Sequence, residues 1–273
     1  MPSRESREFW EKSRKNPQFG GPGNEFNLEG LRQGMGARQE PADRNVKCIR
    51  SKVDHIPCEW VVALGADPDL RLLYLHGGGY VSGSAANYLP LAADISAAAK
   101  CAVLLPDYRL APEYRFPAGV EDCVRAHEWL TASGPYGPGS ARATYIAGDS
   151  AGGGLTLATL LALRDRRRPL PKGAIPMSAF TDLTLASESI RSQSENELYM
   201  HPGCLPRFVE LYARPGDLRN PLASPVFGDY TGIPPLLIQV GEYEVIRDDS
   251  VRVAAKARAD GVDVKLEVWP GQV

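Results

Sequence analysis

Short apolar runs alternate with helix-length amphipathic stretches along most of the chain. KCIRSKV, EWVVAL, RLLYL, CAVLLP, ATYIAG, GAIPMS, PLLIQV and VKLEVW have the length and aliphatic density of strands. Between them, YLPLAADISAAA, AGVEDCVRAHEWL, AGGGLTLATLLALRDR and DDSVRVAAKARAD have the length and spacing of helices. Such alternation predicts an α/β fold with a mostly parallel sheet and helices on both faces. Near the start the pattern differs: Lys52 to Val62 reads as an antiparallel hairpin, with Pro57 at its turn.

Two regions interrupt the alternation. Residues 1–45 mix charge, glycine and the aromatic pair Phe9 and Trp10, a composition suited to helices laid over a core, and are expected to form an N-terminal part of a cap. Residues 181–232 contain turn signals and no strand-length apolar run, yet they separate two clear core strands, as lids and caps do. The expected organisation is therefore one catalytic core, 46–180 and 233–273, covered by a cap drawn from 1–45 and 181–232.

Charge narrows the choice of partner. Among 273 residues, 31 are Lys or Arg and 33 are Asp or Glu, for a net charge of -2, so no basic field recruits nucleic acid or an anionic membrane. The cluster RDRRRP at 164–169 reads as a solvated helix end. The first twenty residues lack the apolar core of a signal peptide and no stretch has the length of an apolar membrane span, which predicts a cytoplasmic protein with no membrane partner. Cys48, Cys58, Cys101, Cys123 and Cys204 are scattered without a C-x-x-C pair, so no zinc site or disulfide framework is expected.

Chemistry concentrates in two glycine clusters. In ATYIAGDSAGGGLTLATLLAL, Gly148-Asp149-Ser150-Ala151-Gly152 falls where a strand passes into a helix, the setting of a G-x-S-x-G nucleophile elbow. A sharp turn there exposes the Ser150 hydroxyl, and the helix N-terminus behind it favours developing negative charge. The other cluster, His76-Gly77-Gly78-Gly79, follows the strand RLLYL. Bare backbone at that place suits amide donors for an oxyanion, with the amide of Ala151 adding another from the elbow. Neither cluster fits a nucleotide. Ser82 stands where G-x-G-x-x-G needs its third glycine, and no G-K-[ST] occurs, so no cofactor is expected.

HGGGY at 76–80, DYRLAPE at 107–113, GDSAGGG at 148–154 and PPLLIQVGEYEVIRDD at 234–249 together resemble the hormone-sensitive-lipase-like (family IV) bacterial esterases of the α/β-hydrolase superfamily. The resemblance covers nearly the whole chain. It implies an eight-stranded core, a helical cap and cofactor-free hydrolysis of carboxylic esters, with Gly78, Gly79 and Ala151 as oxyanion donors. It leaves a homodimer open. In DYRLAPE, Asp107, Arg109 and Glu113 read as a charged trio that pins the loops around the site.

Elbow enzymes order their partners serine, acid, histidine. In the family pattern the acid falls at Glu244, where aspartate is commoner; Asp248 is the runner-up, otherwise a cap for the helix behind it. The base belongs about thirty residues later, after one more helix and strand. VKLEVWPGQV carries no histidine. His55, His76, His127 and His201 all precede the acid, and of these only His201, in the cap, is a candidate stand-in. The histidine loop and last helix of the fold are thus absent from this sequence, and the catalytic histidine is expected just beyond Val273.

The expected function is hydrolysis of short-chain acyl esters through an acyl-enzyme at Ser150, with Glu244 as the acid. Phe180, Leu198 and Phe208 are candidate walls of the acyl pocket. Amidase, lactonase or thioesterase chemistry would use the same groups. The alternative is a non-catalytic ligand-binding protein on a degenerate hydrolase scaffold, a role resembling the plant gibberellin receptors.

Overall fold

A computed structural model describes residues 8, 26–42, 45–198 and 200–273. Phe9, Trp10 and most of the expected N-terminal cap lie outside the described residues.

Eight strands form one sheet: β1 (Val46–Val53), β2 (Ile56–Ala63), β3 (Asp67–Leu75), β4 (Cys101–Pro106), β5 (Ala143–Asp149), β6 (Ala174–Met177), β7 (Leu236–Gly241) and β8 (Val264–Trp269). They lie in the order β1-β2-β4-β3-β5-β6-β7-β8. The β1–β2 and β2–β4 pairs are antiparallel and every later pair is parallel. The first hairpin turns at Asp54–His55, not at Pro57 as the sequence suggested. Asp54 takes φ +52°, which aspartate tolerates, so two residues close the turn between Val53 and Ile56. Pro57 sits inside β2 opposite Lys52, and its carbonyl accepts from the Asp107 amide at 2.8 Å.

Side chains alternate across the sheet with the strand period of two. Leu72 and Tyr74 of β3 face the helix α2 (Leu89–Ala99) through Leu89, Ala92 and Ala93, whereas Leu73 and Leu75 join the larger core on the opposite face. That opposite face is covered by α3 (Ala118–Ala132), α4 (Ala151–Asp165) and, further along the sheet, by helix 247–259. Residues 151–163 of α4 are buried without exception, which explains a helix written in Ala, Gly, Leu and Thr. Burial on both sides likewise explains why the central parallel strands are continuous apolar runs.

Among the described residues of 181–232 are a one-turn helix at Ser189–Ser192, three short 3₁₀ turns and α5 (Leu205–Tyr212). Leu205, Phe208, Val209 and Tyr212 are its buried residues, spaced i, i+3, i+4, i+7 so that one stripe faces the core. The Tyr212 ring lies flat on Tyr80, 3.9 Å between centroids and 8° between planes. Helix α1 (Leu28–Gly36) starts at Asn27, whose side chain accepts from the Gly30 amide at 2.9 Å. It is clasped to the core by Arg32: Nε donates to the Val81 carbonyl, Nη2 to that of Ala111, each at 2.8 Å, and both Nη groups reach the Glu113 carboxylate. Among the described residues no helix is long and apolar enough to cross a membrane.

Candidate active site

Ser150 stands between β5 and α4 with φ +52° and ψ −119°, a conformation unfavourable for a side chain with a Cβ. Surrounding backbone holds it there. Its amide donates to the Met177 carbonyl at 2.9 Å, and its carbonyl accepts from Gly154 at 3.0 Å and Phe180 at 2.9 Å. Gly152 allows the elbow to press onto the end of β3, since a Cβ there would run into the Leu75 carbonyl and lie 2.6 Å from that of His76. The two glycine clusters are therefore in direct backbone contact.

Past β3, the loop bends through Gly78 at φ +124° and Gly79 at φ +62°. The Gly78 carbonyl is turned away and accepts from the Val81 amide, the Ser82 amide and the Ser82 hydroxyl at 3.1, 3.0 and 2.8 Å. Among the described residues, none accepts from the amides of Gly78, Gly79 or Ala151. Phe208 of α5 closes over this loop so tightly that a Cβ on Gly79 would lie 2.5 Å from the ring. Phe26 meets the same ring edge-on at 5.2 Å. Of the other expected wall residues, Phe180 and Leu198 are both buried.

Glu244, in the loop after β7, is 7% exposed. Its Oε1 accepts from the Gly241 amide at 2.6 Å and from the Ser178 hydroxyl at 2.7 Å. Burial nevertheless pushes its pKa up to about 7, against those two hydrogen bonds, and the Glu197 charge adds to the rise. Ser178, itself at φ +46°, follows Met177, whose carbonyl holds the Ser150 amide. Consecutive residues of one strand end thus carry the elbow and the acid. The turn after β8 also packs on the acid loop: the Tyr243 amide donates to the Gln272 carbonyl and the Gly271 amide to the Glu242 carboxylate, both at 2.8 Å.

Asp248 receives the Ser189 amide at 3.0 Å and makes no side-chain cap on helix 247–259. Beside it, Asp249 is the buried acid of the pair. It accepts from the amides of Thr181 and Asp182 and from the Ser187 hydroxyl, anchoring the start of the 181–232 segment. Burial pushes its pKa up to about 6 in spite of those bonds.

The four histidines are occupied elsewhere. His76 is fully enclosed, stacked on Tyr108 at 4.3 Å, with Nδ1 donating to the Gly77 carbonyl at 2.8 Å; burial pushes its pKa down to about 4. His127 is buried beside Thr144 and likewise pushed down to about 4. His55 meets Asp122 at 3.1 Å, and His201 is exposed and accepts from the Gly203 amide. DYRLAPE is an anchoring segment as expected: Asp107 accepts from the Ala85 amide, Arg109 grips the buried Asp122, and Glu113 holds Arg32. Ser178, Asp249 and Arg32 escaped sequence reasoning.

A serine at a positive φ between a central strand and a buried helix, in this strand order, defines the α/β-hydrolase class. A sequence profile for the alpha/beta hydrolase fold matches residues 72–273. An acetyl-hydrolase of Streptomyces hygroscopicus is 44% identical over 80% of this chain and 71% of its own length. An ethyl acetate hydrolase of Pseudomonas putida is 33% identical over 75% and 66%. Among solved structures, the esterase EstE5 soaked with p-nitrophenyl butyrate superposes with a TM-score of 0.90 at 39% identity, covering 99% of this chain and 89% of that one. A hormone-sensitive lipase from a metagenome library gives a TM-score of 0.88 at 37% identity, covering 97% and 88%. The chain belongs to the hormone-sensitive-lipase-like family IV esterases of the α/β-hydrolase superfamily and is a carboxylic ester hydrolase.

Proposed function

We propose that the chain is a serine esterase acting on small esters with short acyl groups. The observation that carries this reading is the strained Ser150 on one of two loops in backbone contact whose amides at Gly78, Gly79 and Ala151 have no acceptor among the described residues. The Ser150 hydroxyl attacks the ester carbonyl and passes its proton to an imidazole. The three amides hold the oxyanion, the alcohol leaves with that proton, and water then cleaves the acyl-enzyme by the same route. Glu244 orients the imidazole and balances its charge. Burial raises its pKa, and the imidazole N–H and charge that it faces in this scheme lower it again, so the acid is ionised when the imidazolium forms.

The imidazole in this scheme belongs to a histidine just beyond Val273. The packing of Gly271 and Gln272 against Glu242 and Tyr243 supports this, because chain continuing from there starts beside the acid loop. Short acyl groups are favoured by the closeness of Phe208 to Gly79 and by the names of two relatives, acetyl-hydrolase and ethyl acetate hydrolase.

The test uses the protein as encoded by its full reading frame. It should hydrolyse p-nitrophenyl acetate, and Ser150→Ala should reduce kcat by a factor on the order of 10⁶, as removal of a nucleophile from a catalytic triad does. Retained turnover in Ser150→Ala would refute the mechanism. A frame with no histidine downstream of codon 273, together with no turnover, would favour the ligand-binding alternative.

A further inference from the structure

The first glycine of the cluster has a cause of its own. Gly77 has no positive φ, yet a Cβ on it would collide with Asp149 Oδ2 and lie 3.1 Å from the Tyr88 hydroxyl. Asp149, the residue before Ser150, points its carboxylate beneath the glycine loop. Tyr74 at the end of β3 donates to Oδ1 at 3.0 Å, and Tyr88 at the start of α2 donates to Oδ2 at 2.9 Å. The Gly77 amide in turn donates to the Tyr88 hydroxyl at 3.0 Å. Hydrogen bonds therefore run from the elbow to the peptide one residue ahead of Gly78 by two routes, one through the Tyr88 hydroxyl and one from the Gly77 amide directly toward the Asp149 carboxylate.

The directions in that chain are fixed by the carboxylate. An ionised carboxylate only accepts, so both phenols spend their protons on Asp149, and the Tyr88 oxygen is left with lone pairs that only a donor such as the Gly77 amide satisfies. A buried carboxylate costs several kcal/mol unless its bonds compensate, and a negative charge next to an oxyanion works against catalysis. Neither fact suits a group meant to act on the substrate by its charge. Both are tolerable in a group that locks two loops in register with its charge spread onto two phenols.

We propose that Asp149 is a positioning residue: through the Tyr88 hydroxyl it sets the plane of the Gly77 peptide, and so the aim of the Gly78 and Gly79 amides relative to Ser150. This inference rests on the serine-esterase reading above. If it holds, Tyr88→Phe keeps the ring but removes the hydroxyl that accepts from Gly77, leaving only the direct approach of Asp149 to that amide, whereas Tyr74→Phe removes a bond of the same kind to the same carboxylate and leaves both routes intact.

With the full-length protein and p-nitrophenyl acetate, Tyr88→Phe should lower kcat about 10- to 100-fold, a fraction of the 10²–10³ lost with an entire oxyanion donor, and leave KM within about twofold. Affinity for a trifluoromethyl ketone, which forms a tetrahedral adduct, should fall by the same factor as kcat/KM. Asp149→Asn should match Tyr88→Phe, and Tyr74→Phe should cost less than either. Equal losses in the two phenylalanine variants, or an unchanged kcat in Tyr88→Phe, would overturn the proposal, because a purely structural carboxylate depends on both phenols alike. A second readout needs no turnover: Tyr88→Phe should speed hydrogen exchange at the Gly77 amide and Tyr74→Phe should leave it slow. An inactive wild type would defeat the esterase mechanism, while unchanged exchange at Gly77 in Tyr88→Phe would defeat the link itself.

Discussion

Replacing Ser178 by alanine isolates how the buried acid is held. Glu244 Oε1 would keep the Gly241 amide and lose the hydroxyl that now donates at 2.7 Å. A hydrogen bond to a charged group contributes about 1.5–3 kcal/mol and one to a neutral group about 0.5–1.5. The ionised form of Glu244 therefore loses about 1–1.5 kcal/mol more than the protonated form, which moves its titration upward by about one pH unit, from about 7 to roughly 8. With a folded pKa above the ordinary 4.5, the protonated acid contributes stability that is complete below about 4.5 and lost as the pH rises through about 7, and in the variant that loss extends to roughly 8. Urea unfolding should then show Ser178→Ala less stable by about 1 kcal/mol at pH 5 and by about 2 or more at pH 9. Ser178→Gly loses the same hydroxyl but relieves φ +46°, worth about 1–2 kcal/mol, so its curve should run parallel and higher. A destabilisation that stays flat from pH 5 to 9 would refute the electrostatic account of the acid.

Gly152→Ala forces a Cβ into the Leu75 carbonyl and should lower stability by about 1–3 kcal/mol, measured by thermal unfolding, with turnover falling further as the glycine loops are pushed apart. His127, pushed down to about 4 by burial, contributes stability present above about 6.5 and lost as the pH falls through about 4; His127→Gln should shrink the destabilisation between pH 7 and pH 4 by about 3 kcal/mol in denaturant titrations. Arg32→Ala removes the bonds to Val81, Ala111 and Glu113 that fasten α1. Limited proteolysis should then cut within residues 26–42 first, with little change in the melting of the sheet, because the ion pair to Glu113 is largely exposed.

The central strands were legible as apolar runs flanked by breakers and the edge strands β1 and β8 by their alternation of apolar and charged residues, and the four core helices because their length and spacing are unambiguous. The first hairpin shows where such reading slips. Proline suggests a turn, yet Asp54 could adopt the left-handed conformation and Pro57 needed only its carbonyl in the ladder. Ser150, Gly78, Gly79 and Ala151 were readable because motif and element boundary coincide in each. Ser178 was not, because nothing in GAIPMSAF marks it; its role arises when β6 lies beside β7 and brings Glu244 within reach. Asp248 and Asp249 look equivalent in sequence, and only the helix phase decides that the second turns inward to hold Thr181 and Asp182.

Tyr80 follows Gly79 directly, and its ring rests against Tyr212 while its hydroxyl donates to the Phe180 carbonyl at 2.7 Å. The cover and the catalytic loop are consequently hinged on one aromatic residue, and neither can swing without dragging the other. Warming that loosens the cover should disarm the enzyme while the sheet beneath is still intact.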